Sequence, residues 1–263
     1  MNEKSYSLKL LYSGSDGNAA LLTAGDIAIL IDAGRTAKAL TAALAAAGVT
    51  PDALSAILLT HEHRDHTAAL NVFLKHHPIP VHTTTASAMR LREKGATDAL
   101  CACLVEHAPL FQVEFEGVTV TSFETSHDSA CSVGYRISLQ DGEDIHTVGY
   151  ATDLGTVTPA VENALTGCEA VVIECNHDEE MLMTGPYPAD LKRRIASVRG
   201  HLSNRDCAAL CARLATCGTK RFLLAHLSEI NNVPDLALSE VTAALAGTDA
   251  VLSVADPFIT TEL

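Results

Sequence analysis

The chain has 263 residues, of which 48% are hydrophobic and 19% charged, and its formal net charge is −14. This apolar content can form a sizeable core and excludes a disordered chain, a coiled coil and a collagen-like fibre. The negative charge excludes binding of duplex DNA through a broad basic surface, and an aromatic content of 4% without Trp disfavours an extended base-stacking platform. A compact acidic protein remains, and its twelve His residues suggest a metalloenzyme.

The N-terminus has no apolar segment of the kind that directs secretion, and no apolar run approaches the roughly 18–20 residues of a membrane span. We therefore expect a cytoplasmic protein without membrane contact. Under that expectation the eight Cys are reduced thiols. Cys207 and Cys211 lie four residues apart on one face of a predicted helix, where we expect small core residues.

Strands and helices alternate along the predicted chain. Strands are predicted at 8–11, 19–23, 27–31, 56–60, 170–173 and 221–224, with a strand-rich region over roughly 103–151. Helices are predicted at 37–47, 66–77, 85–95, after Pro159, after Pro188, after Ser203 and at 234–245. Gly48 is positioned to end the first helix. Two groups of strands with helices between them indicate a layered α/β fold, and we expect one domain over residues 1–263.

The segment Thr60–His66 contains most of the evident chemistry, with His61, His63, Asp65 and His66 placed between an apolar strand and a helical pattern. Open α/β folds bind ligands at such strand ends. Three His and one Asp in six residues are hard to explain as core and as plain surface. Imidazole and carboxylate together suit Zn, Mn, Fe or Ni. The segment therefore predicts a metal site that is completed by residues from elsewhere.

The pattern His-x-His-x-Asp-His after a buried strand resembles the hallmark of the metallo-β-lactamase fold. Four more segments look like that family's other motifs and occur in the same order: 29–34 with Asp32, 126–128, 151–155 and 224–228. The resemblance covers the whole chain. It implies an α/β protein built as a four-layer αββα sandwich, with two mixed β-sheets and helices on the outside.

Further segments resemble the YycJ/VicX (WalJ-like) branch of bacterial hydrolases, which is associated with phosphodiester cleavage and 5′→3′ DNA exonuclease activity. These segments are 13–18, 174–178, 187–192, 200–204 and 226–232. The chain departs from the common pattern at Tyr12, Ala69 and Leu154. None of the three is an expected ligand, so they bear on loop shape more than on chemistry.

The resemblance implies two divalent metal ions per chain, which could be Zn, Mn or Fe. One ion would be bound by His61, His63 and His127, and the other by Asp65, His66 and His226, with Asp153 bridging them. Asp32 would hold a ligand His in the required tautomer. Asp65 and Asp153 are thereby expected to be catalytic.

His201 is also expected to be catalytic, because Gly200-His201-Leu202-Ser203 resembles the Gly-His-Ser motif of ribonuclease Z, whose His is the expected general acid. The alternative is an ordinary His at the start of a helix.

Substrate contacts are predicted in two regions, and for each a purely structural interpretation stays open. Ser13, Ser15 and Asn18 could bind phosphate, or form a plain hairpin turn. The basic cluster at 192–205 could guide phosphates toward the metals, or be the solvated face of a helix. The predicted contacts near that cluster are Asn176, Lys192, Arg193, Ser203 and Asn204.

We expect a metal-dependent phosphodiester hydrolase that trims DNA in the 5′→3′ direction and binds DNA ends weakly. The charge of two divalent cations exceeds that of Asp65, Asp153 and a bridging hydroxide together, which favours an anionic substrate. Alternatives are a small cyclic or dinucleotide phosphodiesterase, a thioester or lactone hydrolase, and a metal-binding regulator without turnover. A homodimer is a further open alternative.

Overall fold

Two seven-stranded sheets face each other in a computed structural model that describes residues 6–263. Residues 1–5, on which the expected lack of a targeting segment partly rests, lie outside the described residues. In spatial order the first sheet contains β14 (Thr261–Glu262), β1 (Tyr6–Tyr12), β2 (Ala19–Ala24), β3 (Ile27–Ile31), β4 (Ala56–Leu58), β5 (Val81–Thr84) and β6 (Leu104–His107). It is mixed, since β1, β2 and β3 pair antiparallel while β3 to β6 are parallel.

The second sheet is also mixed. In spatial order it contains β13 (Val251–Val254), β12 (Arg221–Ala225), β11 (Ala170–Glu174), β10 (Asp144–Ala151), β9 (Val133–Asp141), β8 (Val118–Glu124) and β7 (Gln112–Phe115). Strands β10 to β13 are parallel, whereas β7 to β10 form antiparallel hairpins. Two of these hairpins turn at Glu116-Gly117 and at Gly142-Glu143.

Helices cover the outer face of each sheet. On the first sheet lie α1 (Ala37–Ala46), α2 (Arg64–Thr67), α3 (Leu70–His76), α4 (Thr85–Glu93) and α5 (Asp98–Cys103). The second sheet is followed or covered by α6 (Pro159–Leu165), α7 (Glu179–Thr184), α8 (Ala189–Ile195), α9 (Asn204–Thr216) and α10 (Pro234–Ala244). Within residues 6–263, none of these helices has the length and apolarity needed to cross a membrane.

The alternation of side chains along each strand explains the layers. Ile29 and Ile31 of β3 pack between the two sheets, whereas Leu30 packs against the outer helices. On β11, Val172 packs between the sheets and Val171 packs outward. Both faces of these strands are therefore buried, as expected for parallel strands covered by helices. The structure confirms the predicted four-layer αββα sandwich, while a single domain over 1–263 stays a prediction.

The prediction of one continuous helix over 66–77 is wrong, because two helices, α2 and α3, occupy this region. The Asp65 carbonyl accepts a hydrogen bond from Asn18 N (2.8 Å), and the His66 carbonyl accepts one from Ala33 N (2.8 Å). Ala69 N in turn donates to the Ala33 carbonyl (2.9 Å). These backbone groups are thus used by neighbouring loops rather than by a continuous helix.

Several short elements were not predicted, namely β5, β13, β14, α5 and α7. Each has six residues or fewer, so its sequence is too short for a clear periodicity. The predicted strand at 56–60 ends at Leu58. All eight cysteines are free, and Cys207 and Cys211 are fully buried in the second outer layer.

Gly34 fixes the distance between the loop after β3 and the loop after β4. A Cβ at this position would lie 2.0 Å from the Asp65 carbonyl oxygen and 2.5 Å from Asn18 N. Both neighbours are backbone atoms that already bond to each other, so neither can move alone. The absence of a side chain at Gly34 therefore allows Asp65 to take its position.

We expect Gly34→Ala to lower the free energy of unfolding by about 3 kcal/mol, the upper end of the usual range for overpacking, because an added methyl group would meet two backbone atoms. Gly48→Ala is the matched control, since Gly48 has a φ of +81° but open space around its Cβ position. The control should lose about 1 kcal/mol from left-handed strain alone. Urea denaturation of both variants measures the difference, and equal losses would contradict the role given to Gly34.

Candidate metal centre

The loop between β4 and α2 is anchored by Asp32, which follows β3. Asp32 Oδ1 accepts hydrogen bonds from Thr60 N (2.8 Å) and Thr60 Oγ1 (3.0 Å). Asp32 Oδ2 lies 2.8 Å from His66 Nδ1. Since a carboxylate accepts hydrogen bonds, His66 Nδ1 carries the proton and its Nε2 is left to act as a ligand.

His61, His63 and His127 form the first group of candidate ligands, with ligand atoms within 4.8 Å of one another. His63 Nδ1 lies 3.2 Å from His127 Nε2. His127 Nδ1 donates to the Gly200 carbonyl (3.0 Å), because a carbonyl can only accept. The Nε2 lone pair of His127 consequently faces the other two imidazoles.

Asp65, His66 and His226 form the second group. Asp65 Oδ2 lies 3.1 Å from His66 Nε2 and 3.6 Å from His226 Nε2. His226 Nδ1 donates to Glu174 Oε1 (2.8 Å), which turns its Nε2 toward the group. Two carboxylates, on Asp32 and Glu174, thus orient the two imidazoles of this group.

Asp153 lies between the two groups and is 2% exposed. Its Oδ1 is 3.6 Å from His127 Nε2 and 3.8 Å from His226 Nε2. Its Oδ2 is 3.3 Å from His66 Nε2. This carboxylate reaches both groups, which is the geometry that a bridging ligand requires.

The donor set fits divalent metal ions. Within the described part of the chain, three buried atoms at the centre of the cluster have no hydrogen-bond partner: His61 Nε2, Asp153 Oδ2 and His226 Nε2. Buried polar atoms are normally satisfied, so a shared partner is implied. Imidazole nitrogens with carboxylate oxygens suit Zn, Mn or Fe, so the residues present fit divalent metal ions.

Burial and mutual charge set the protonation of the cluster. Burial lowers the pKa of His61 well below its usual value, which keeps this imidazole neutral as a ligand must be. Burial favours the neutral form of Asp153, but His226, His66 and the other imidazoles outweigh it and lower its pKa well below the usual range. Asp153 is therefore an ionised carboxylate in a buried position.

Glu174, the last residue of β11, was not predicted as a site residue and connects the centre to His201. Its Oε1 lies 2.8 Å from both His201 Nδ1 and His226 Nδ1, and its Oε2 accepts from Leu154 N and Leu202 N. Burial favours the neutral carboxyl, but the two imidazoles outweigh it and lower the pKa of Glu174 to about 2. A charged residue directly after four apolar ones, in Ala170–Glu174, was the signal available in the sequence.

His201 lies beside the centre, and its side chain is 22% exposed. Burial opposes protonation of His201, but the Glu174 carboxylate outweighs it and raises the pKa of the imidazole. His201 Nδ1 is 3.8 Å from Asp153 Oδ1. This contact favours the protonated form of the imidazole, which lies at the edge of the cluster next to an opening to solvent.

Three residues of the centre have backbones in the left-handed region, with φ of 62° at Asp32, 58° at Asp153 and 57° at His226. Each follows the carboxyl end of a strand. Such conformations are uncommon outside glycine and occur where surrounding structure fixes them, often at functional sites. These backbone conformations bring three side chains that follow separate strands into one cluster.

Ser13, Asn18 and Asn176, predicted to bind substrate, contact the centre itself. Ser13 Oγ accepts from His226 N (2.8 Å), and Asn176 Nδ2 donates to the His226 carbonyl (2.8 Å). Asn18 Nδ2 donates to Asp65 Oδ2 (3.2 Å). These contacts hold two candidate ligands, and substrate binding by the three residues stays a prediction.

The other predicted substrate residues lie around the His201 side of the centre. Ser203 caps α9 by accepting from Asp206 N, and Asn204 is buried against Asn232. Lys192 donates to the Met183 carbonyl and Arg193 pairs with Asp190. Their role in binding phosphate also stays a prediction, whereas Ser15 is exposed at the rim of the site.

Comparison with known proteins gives the family of the chain. Residues 28–227 match the β-lactamase superfamily domain. The chain is 36% identical over 241 residues to exodeoxyribonuclease YycJ of Bacillus anthracis, with 90% of this chain and 88% of that protein covered. It is 32% identical over 257 residues to exodeoxyribonuclease WalJ of Streptococcus pneumoniae D39, with 97% and 93% covered.

Among solved structures, zinc-bound PqqB from Methylobacterium extorquens has a TM-score of 0.76 and 16% identity, with 98% of this chain and 100% of that chain covered. At this identity the likeness shows a common fold. The domain match and the two sequence relatives agree with the motifs that surround the centre. The chain therefore belongs to the β-lactamase superfamily and, within it, to the family that includes YycJ and WalJ.

Proposed function

We propose that the protein is a metal-dependent phosphodiester hydrolase that acts as a 5′→3′ exodeoxyribonuclease. The observation that carries the proposal is the juxtaposition of two ligand groups, which share Asp153, with the Glu174-bound imidazole of His201. A hydrolase of phosphodiesters needs electrostatic stabilisation of the phosphoryl group and a proton for the departing oxygen. The names of YycJ and WalJ, both exodeoxyribonucleases, support DNA as the substrate.

Two metal ions would be held by the residues already predicted for them. His61, His63 and His127 would bind one and Asp65, His66 and His226 the other, with Asp153 common to both. Bound divalent ions would supply Lewis acidity and lower the pKa of the attacking water toward about 7. Zn, Mn and Fe all fit the donor set.

His201 would act as the general acid. Glu174 orients the imidazole through Nδ1 and favours its protonated form. In the hydrolytic step water loses a proton to solvent and its oxygen forms a bond to phosphorus, while the bond from phosphorus to the departing 3′-oxygen breaks. His201 gives its proton to that oxygen, and the remaining strand keeps the new 5′-phosphate.

The opening next to His201 supports binding of a nucleotide. A cavity of about 180 Å³, here the His201 cavity, is lined by Ser15, Asn176, Tyr187, Arg194 and His201. Arg194 is exposed and pairs with Asp128. Asp128 lines the same cavity and balances the charge of Arg194, and the protein is acidic overall, so we expect DNA binding to be weak and sensitive to salt.

A second candidate function is hydrolysis of small cyclic or dinucleotide phosphodiesters. The small volume of the His201 cavity favours it. The contacts of Lys192 and Arg193 also favour this candidate. Each side chain bonds to another group of the protein, so these bonds do not support the predicted guidance of phosphates by the basic cluster. Turnover of such compounds with DNA untouched would favour this candidate.

A cytoplasmic location is part of the proposal and is supported by the eight free cysteines. Their reactivity toward a thiol reagent in intact cells would test it.

The wild-type chain should bind two metal ions, and Asp153→Asn should retain fewer, because the amide loses the charge that both ions share. Elemental analysis after loading and dialysis gives the ratio. Bound metal should also raise the free energy of unfolding, by about 4 kcal/mol at 1,000 times Kd. Asp52→Asn, at an exposed carboxylate, is the control. Undiminished metal content in Asp153→Asn would argue against a bridging role.

His201→Ala should keep its metal while turnover of single-stranded DNA falls by about 10²–10⁴-fold. His76→Ala, at an exposed His, should behave as wild type. Glu174→Gln should lower turnover and also weaken metal binding by about 10–100-fold, because Glu174 orients His226 as well. If His201→Ala retained full turnover, His201 would have no part in the mechanism.

A further inference from the structure

A second cavity shares Ser15 with the His201 cavity. It has a volume of about 640 Å³, and its lining includes Ser15, Arg35, Arg64 and Asp65. We call it the Arg35 cavity. Ser15 lines both cavities, and Asp65 is a candidate metal ligand. The two cavities are therefore neighbours at Ser15, one lined by His201 and the other by Asp65.

Arg35 is fixed at the wall of the Arg35 cavity. Its guanidinium carbon lies 4.9 Å from the centre of the Tyr12 ring and 4.8 Å from that of Phe258. Its Nη2 donates to the Pro257 carbonyl (2.7 Å). A guanidinium has five N–H donors, so this bond uses one of them. Stacking on aromatic rings presents the other donors in a fixed orientation, which suits phosphate recognition.

The backbone of Arg35 supports the same interpretation. Its φ is 57°, a conformation that is uncommon for residues with a side chain. Arg35 directly follows Gly34, whose contact with Asp65 fixes this loop against the metal-binding loop. The position of the guanidinium is thereby coupled to the position of a metal ligand.

Arg64 provides a second positive charge on the Arg35 cavity. It is exposed, and it lies between His63 and Asp65 in the metal-binding loop. The acidic residues on the lining are Asp16 and Asp65. Asp65 Oδ2 faces His66 and His226, so its charge is directed toward the centre. The other charged side chains on the lining are Arg35, Arg64 and Asp16. They give the cavity a positive charge, although the net charge of the protein is −14.

We propose that the Arg35 cavity, which is lined by Asp65 and not by His201, binds backbone phosphates of the DNA strand that continues from the scissile phosphate. This assignment rests on the proposed function. Because His201 protonates the departing oxygen, the released nucleotide occupies the smaller His201 cavity. The retained strand leaves through the larger one. Contacts from Arg35 and Arg64 to phosphate oxygens are independent of base sequence, as general trimming of DNA requires.

The test compares Arg35→Gln/Arg64→Gln with Arg90→Gln, which removes an exposed Arg paired with Glu93 on α4. Each is made in the metal-loaded His201→Ala protein so that DNA is not consumed. Binding of a 5′-phosphorylated single-stranded oligonucleotide is followed by fluorescence anisotropy over a range of salt. The double variant should bind at least about tenfold more weakly. The slope of log K against log salt should fall by about 0.7 for each phosphate that an Arg no longer neutralises.

Arg64→Gln alone tests the site at an exposed position, even if loss of Arg35 loosens the packing around Tyr12 and Phe258. It should lower the slope by about 0.7. Equal affinities and slopes in all variants would overturn the Arg35 cavity as a DNA site. Failure of the proposed function has a different signature, because the protein with His201 intact would then neither bind nor cleave the oligonucleotide.

Discussion

Three carboxylates buried at the ends of strands determine how this site is built. Asp32 follows β3, Asp153 follows β10 and Glu174 ends β11, and all are 2% exposed or less. A buried ionised carboxylate costs several kcal/mol unless it is paired and hydrogen-bonded. Asp32 is satisfied by Thr60 and His66, and Glu174 by two backbone amides and two imidazoles. Asp153 Oδ2 has no hydrogen-bond partner among the described residues, and bound divalent cations would complete the balance of charge.

Asp32 and Glu174 have different parts in metal binding and proton transfer. Asp32 serves the centre through one ligand, His66. Glu174 serves both a ligand and the proposed acid, because its Oε1 contacts His226 and His201 together. A change in metal binding at His226 would therefore alter the hydrogen bond of His201, because both imidazoles contact the same oxygen of Glu174. The left-handed backbones of Asp32 and Asp153 show that the fold tolerates local strain to bring these groups together.

Local patterns in the sequence predicted a layered α/β fold and a metal site at Thr60–His66. The four-layer arrangement and the full ligand set were implied by the resemblance to the metallo-β-lactamase family, and the ligand set stays a prediction. The apolar strand 56–60 followed by His61, His63 and Asp65 is one such pattern. Features that depend on distant backbone contacts were not predictable. The break between α2 and α3 results from hydrogen bonds to Asn18 and Ala33. Glu174 was missed because its partners, His201 and His226, are 27 and 52 residues away along the chain.

The most direct test of the central claim is digestion of DNA labelled at its 5′ or 3′ end by the metal-free protein after reloading with Zn, Mn or Fe. The account predicts metal-dependent release of 5′-mononucleotides in order from the 5′ end, with the 3′ label retained until the strand is consumed. Intact DNA with every metal, in a protein that still hydrolyses bis-p-nitrophenyl phosphate, would contradict the exonuclease assignment.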